Sequence, residues 1–157
     1  GSEMCIRDRQ ALRINSKAKE PMMNMGLVAM INNDMSKANE YFGAAAGVPE
    51  SADAMGTYYL NQGDLQKALN AFGDAKTNNA AVANILAKNY TAANKILDDI
   101  KAPNATTYYL KAVAAARTGS QNSAIQNLKQ AVKLDPSLLK RAQNDMEFTG
   151  INLSYIQ

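Results

Sequence analysis

The sequence has no histidine, no tryptophan and a single cysteine, Cys5. Without histidine, the Ser-His-Asp and Cys-His arrangements of nucleophilic catalysis are excluded, as is imidazole ligation of a metal. One cysteine cannot close an internal disulfide, so cysteine usage defines no redox compartment. Nine glycines and four prolines are few for a turn-rich β fold, and the abundant Ala and Leu favour helices. Met25 to Ile31 is the longest conspicuous apolar stretch. It falls far short of the roughly 20 residues that span a bilayer, so no direct membrane insertion is expected. No apolar signal-peptide core opens the chain. No glycine-rich phosphate loop is present either, and neither cofactor nor metal is expected.

An excess of charge is also missing from most of the chain. The formal net charge is +3, but residues 1–20 hold five Lys/Arg against three Asp/Glu, and the rest hold twelve against eleven. A nearly neutral body without a basic run reads as a solvated helix surface, and nucleic acid is not an expected partner. The carboxylates offer no catalytic pair. Asp98 and Asp99 are adjacent, so on a helix they point to different faces. Asp34, Asp64 and Asp74 read as turn and surface residues. An enzyme is therefore not expected. Three Asn-x-Ser/Thr triplets, beginning at Asn89, Asn104 and Asn152, read as chance in an Asn-rich chain.

What is present is a repeat. A small residue is followed four later by an apolar one, and three later by another small or apolar one. The marker appears as Ala38, Phe42, Ala45, then Ala68, Phe72, Ala75, then Ala93, Leu97, Ile100, and finally Ala124, Leu128, Ala131. These offsets put the three side chains on one helical face. A small first member lets a neighbouring helix approach closely. Upstream of each marker lies a second helical run, reached through the turns Asn32-Asn33-Asp34, Gln62-Gly63-Asp64, Lys88-Asn89 and Thr118-Gly119-Ser120. Gly and Asn suit the left-handed residue that closes a helix, and Asp or Ser suits the next N-cap. Asp135-Pro136 stops the fourth pair.

On these residues the chain resembles the tetratricopeptide family, whose period is 34. The second repeat carries the likeness at Gly56, Tyr59, Gly63, Ala68, Phe72 and Ala75, and the fourth at Gly119, Ala124, Ala131 and Pro136. The first carries it at Gly26, Ala38, Phe42 and Ala45, and the third chiefly at Ala93. The family's tryptophan is absent. The marker spacings of 30, 25 and 31 residues are short, so helix A of the third repeat, near residues 80–87, is expected to be cut back most. The resemblance implies an all-α fold, a right-handed alpha-alpha superhelix built as a solenoid of antiparallel helix pairs. It also implies that the first helix of each pair lines a concave groove. The groove positions are then Met23, Leu27 and Met30; Asp53, Thr57 and Leu60; Asn78, Val82 and Ile85; and Tyr109, Val113 and Ala116. Two readings of them stand side by side: a groove for an apolar or amphipathic segment, to which Met adapts readily, or core, if the short helices tighten the coil. The paired Lys and Asn by which some relatives hold a C-terminal carboxylate are not matched, so that mode is not expected.

Residues 1–9 read as non-native, since Gly1-Ser2 looks like a protease scar and the following run looks like translated adapter sequence. Residues 10–19 carry Ala11, Leu12, Ile14 and Ala18 as an apolar stripe. They read as an orphan second helix from a preceding repeat, or as a capping helix. Residues 20–136 hold four helix pairs, and residues 137–157 a capping helix and tail, with the tail docking on the cap or fraying. The function expected is a protein-binding module that takes a peptide or partner domain in the groove. The alternative is a spacer or assembly element of a larger bacterial envelope protein, self-associating through its end helices. The repeats are similar to those of bacterial envelope proteins, which points to the periplasm or envelope.

Overall fold

Four turns set the architecture, and all four are built alike. A computed structural model describes residues 19–45 and 49–156. In its first turn the Asn33 amide donates to Met30 and the Asp34 amide to Ala29, the Schellman pattern, with Asn33 left-handed at φ 58°. Gly63, Lys88 and Gly119 take the same left-handed place, at φ 77°, 63° and 78°. The residue after each begins the next helix. The Asp34 and Asp64 side chains accept from the Lys37 and Lys67 amides, satisfying free N–H groups of the new first turn. At the third turn Lys88, not Asn89, occupies the left-handed place, and Asn89 is the N-cap.

The turns join α1 (Lys19–Ile31) to α2 (Met35–Ala44), α3 (Pro49–Asn61) to α4 (Leu65–Phe72), α5 (Asn78–Leu86) to α6 (Tyr90–Asp99), and α7 (Ala105–Arg117) to α8 (Gln121–Leu134). A short α9 (Leu138–Gln143) and a 3₁₀ turn (Met146–Phe148) follow. Among the described residues there are nine α-helices and no strand. The fold is all-α, made of neighbouring antiparallel helix pairs. The first helices of pairs one, two and four run 13 residues each, whereas α5 runs only 9, where the spacing predicted the cut. The expected helix over residues 10–18 and the foreign residues 1–9 lie outside the described residues.

The chain divides into two compact units, residues 1–75 and 76–157. In the first, Ala29, Ala38 and Phe42 form a core cluster beneath α1 and α2. Ser51 Oγ of α3 donates to the Phe42 carbonyl at 3.4 Å, fastening the second pair to the first. In the second, the core runs from Ile85 and Ala93 through Tyr109, Ala112, Val113, Leu128 and Ala131 to Ala142, Phe148 and Ile156. The tail therefore docks.

Each marker alanine, Ala38, Ala68, Ala93 and Ala124, is fully buried. Each sits four residues after its turn, its amide bonded to the N-cap carbonyl. Phe42, Phe72, Leu97 and Leu128, four residues further on, are also buried. The third marker member is less uniform. Ala45 and Ala131 are buried, but Ala75 and Ile100 lie past the ends of α4 and α6 and are partly exposed. Gly73, at φ 54°, cuts α4 short before Ala75.

Candidate functional site

The first helix of each pair presents one stripe of side chains at offsets of four and three. In the first unit the stripes are Met23, Leu27 and Met30 on α1 and Asp53, Thr57 and Leu60 on α3. All six are half-buried. The two Met and the Leu rest on the Ala29–Ala38–Phe42 cluster, together with Ala54 and Met55 of α3. α1 and α3 touch directly. Met23, Leu27, Met30 and Leu60 are thus apolar side chains that keep part of their surface in solvent. The Thr57 hydroxyl is buried and has no hydrogen-bond partner among the described residues.

In the second unit the corresponding positions are occupied from within the chain. Asn78 Nδ2 donates to Asn104 at 3.0 Å, and Asn78 Oδ1 accepts from the fully buried Thr107 hydroxyl at 2.8 Å. Asn104 and Thr107 form the capping box that starts α7. Asn78 thus ties the start of α5 to the start of α7. Val82 is half-buried, and Ile85 is core. Tyr109 and Val113 are 6% and 8% exposed, and Ala116 lies at the margin of the same cluster.

Tyr109 is covered by the chain's last residues. Its hydroxyl donates to Asp145 at 2.6 Å, its ring meets Phe148 edge-on at 5.5 Å, and the Arg141 guanidinium lies 5.2 Å from its centroid. Burial, reinforced by the Asp145 hydrogen bond and charge, pushes the phenol well above its ordinary pKa of 10. Arg117, one turn beyond Val113, pairs through two nitrogens with Glu147 and also donates to the Ile85 carbonyl at 3.3 Å. Arg117, Asp145 and Glu147 were not among the sequence candidates. The i, i+4 continuation Tyr109, Val113, Arg117 is the signal that could have found the first of them.

The adjacent carboxylates do not act together. Asp98 and Asp99 diverge, to Lys111 at 3.1 Å and Lys76 at 3.6 Å. A polar hollow of about 270 Å³ is lined by Asp98 and Lys111 together with Asn94, Thr118, Ser123 and Asn127. Among the described residues no three His, Cys, Asp or Glu side chains gather to hold a metal, and no helix is long and apolar enough to cross a membrane.

Residues 105–138 match the family model described as Tetratricopeptide repeat. The matched stretch begins with α7, whose pair has the longest combined helices of the four. No curated protein matches the chain closely enough to count as a relative.

Proposed function

We propose, since the chain carries a tetratricopeptide repeat and is laid out in helix pairs, that it is a protein-interaction module whose docking face is the α1–α3 surface of the first unit. Repeat folds of stacked helix pairs bind protein segments along such faces. The observation that carries the reading is the half-exposed stripe Met23, Leu27, Met30 beside Asp53 and Thr57. The occupant is an amphipathic helical segment of a protein partner. Its apolar side lies on the methionines, whose unbranched chains re-pack around varied shapes, and its polar side meets Asp53. Apolar anchors dominate such contacts. With the body of the chain near neutrality, binding to this face changes little between low and moderate salt.

The test is selection of displayed amphipathic peptides on the whole chain, followed by affinity and melting measurements on Met23→Gln and Met30→Gln. Selected peptides should bind each variant several-fold more weakly while the melts stay close to wild type. Peptides indifferent to both changes would sink the reading.

A second reading is assembly through the C-terminal end. It is favoured by Met146, Tyr155 and Leu134, which are exposed near the chain's end. Concentration-dependent sedimentation, lost in Tyr155→Ser, would select it.

A further inference from the structure

The covering of α7 by the chain's own last residues has a definite chemistry. Tyr109, Val113 and Arg117 lie at i, i+4 and i+8, one stripe along the helix. Asp145 accepts from Tyr109, Glu147 receives the Arg117 guanidinium, and Phe148 seats its ring against the edge or face of Tyr109 at an interplanar angle of 85°. Asp145 also accepts from the Glu147 amide at 3.0 Å, which holds the two carboxylates in one tight turn. Met146, between them, is 88% exposed and takes no part in the contact. Read along the chain, the occupant is carboxylate, any residue, carboxylate, aromatic.

The hold is a 3₁₀ turn after a six-residue helix, with Ala142, Phe148 and Ile156 buried and Leu138, Leu139, Ile151 and Leu153 packed against the same core. The Arg117–Glu147 pair stands at the rim, with both side chains more than a quarter exposed. For the stripe to be reached, this segment must open without unfolding the helix pair beneath it, as locally held segments do. What it uncovers is a phenol donor, a guanidinium fork and an aromatic seat in one row. That set recognises carboxylates bidentately and an aromatic ring by its edge.

We propose that the Tyr109–Val113–Arg117 stripe is a docking site for an acidic-aromatic segment of a partner protein, spaced as Asp-x-Glu-Phe, and that residues 145–148 occupy it in cis until that segment displaces them. The inference is independent of the α1–α3 face. The tethered copy acts as a competitor at an effective concentration on the order of millimolar, so a free segment binds with lowered apparent affinity until the latch is loosened. Because an ion pair forms the rim, binding here weakens with salt, in contrast to the first-unit face.

The experiment uses the whole chain and a fluorescent peptide of residues 144–156. The peptide should bind Phe148→Ala at least about 10-fold more tightly than wild type, since the mutation weakens the tethered competitor alone. Adding Arg117→Gln should abolish the gain, and a scrambled peptide should not bind. Glu147→Gln, which keeps the ring in its seat, should give a smaller gain in the same direction and serves if Phe148→Ala does not fold. In wild type, amides of residues 145–156 should exchange faster than those of α8. Exchange of both segments at one common rate would make the tail an inseparable part of the core and overturn the proposal. So would the absence of peptide binding to the folded variants, or binding that survives Arg117→Gln. A peptide-sensitive dimer in sedimentation would assign the site to a second copy of the chain and likewise overturn it.

Discussion

A β-carbon added to Gly56 would lie 2.5 Å from the ring of Phe72, and one added to Gly26 would lie 2.8 Å from Phe42. Both glycines stand eight residues before the turn's N-cap and both rings eight residues after it. In pairs three and four the same two places hold Ala81 with Leu97 and Ala112 with Leu128. The small residue gains a methyl where the large one loses its ring, so the contact keeps its volume. Gly56→Ala should therefore cost about 1–3 kcal/mol by overpacking, and Phe72→Leu alone should leave a cavity. The double variant should recover much of the loss, because it writes the pair-three solution into pair two. Denaturant midpoints of the four proteins give the coupling, and strict additivity would refute it. Tyr109 supplies a second residue-scale prediction. Its folded pKa is raised by burial first and by Asp145 second. The phenol is protonated in both states below pH 10, so its stabilisation is complete there. As pH rises above 10 the unfolded chain loses the proton while the folded chain retains it, and stability falls through that window. Tyr109→Phe removes this dependence, so the stability difference between wild type and variant should shift against wild type from about pH 9 to about pH 11, by up to about 1.4 kcal/mol per unit. Parallel curves would show that the phenol is not held.

A helix here is defined by how closely its neighbour approaches. Ala68 and Ala124 are fully buried at that approach, and Ala68→Leu or Ala124→Leu should destabilise by about 1–3 kcal/mol. Lys67→Leu and Gln126→Leu change exposed positions and should shift the midpoint by less than about 0.5 kcal/mol. Lys67 gives up a surface ion pair with Asp64 at 3.5 Å and an exposed contact with the Tyr59 ring at 5.8 Å. Equal midpoints for all four would mean the helical register is wrong. This much was legible in the sequence, because close packing repeats a pattern of small and large residues at fixed offsets. The turns were legible for the same reason, apart from Lys88. A lysine gives no hint of a left-handed backbone, and there the surrounding pair imposes it. The second-unit site was less legible. The family resemblance put Tyr109 and Val113 on an inner face, and they do share a stripe. What lies over that face depends on residues some 35 positions away in sequence, which no local pattern encodes. The amide of Asn78 joins two helix starts through Thr107, a long-range bond that its position on the stripe does not announce.

For the molecule as a whole, the shared residue in each turn carries a consequence for length. Asp34, Asp64, Asn89 and Ser120 each finish the closure of one helix and open the next. The stretch from the small residue before the turn to the large one after it is therefore the same length in every pair, from Gly26 to Phe42 as from Ala112 to Leu128. Added length has no slack to enter there. One glycine inserted after Gly119 would rotate α8 by about 100° relative to α7 and carry Ala124 and Leu128 off the shared face. It should abolish cooperative melting of the second unit. The same glycine inserted after Lys101, in the link between α6 and α7, should lower the melt only slightly. The unequal marker spacings of 30, 25 and 31 residues are then the trace of a rule about where such a chain can be edited. Gains and losses of residues accumulate in the links between pairs and in the outer ends of helices. Within a pair the count is a reading frame, and a single residue too many is a frameshift in three dimensions.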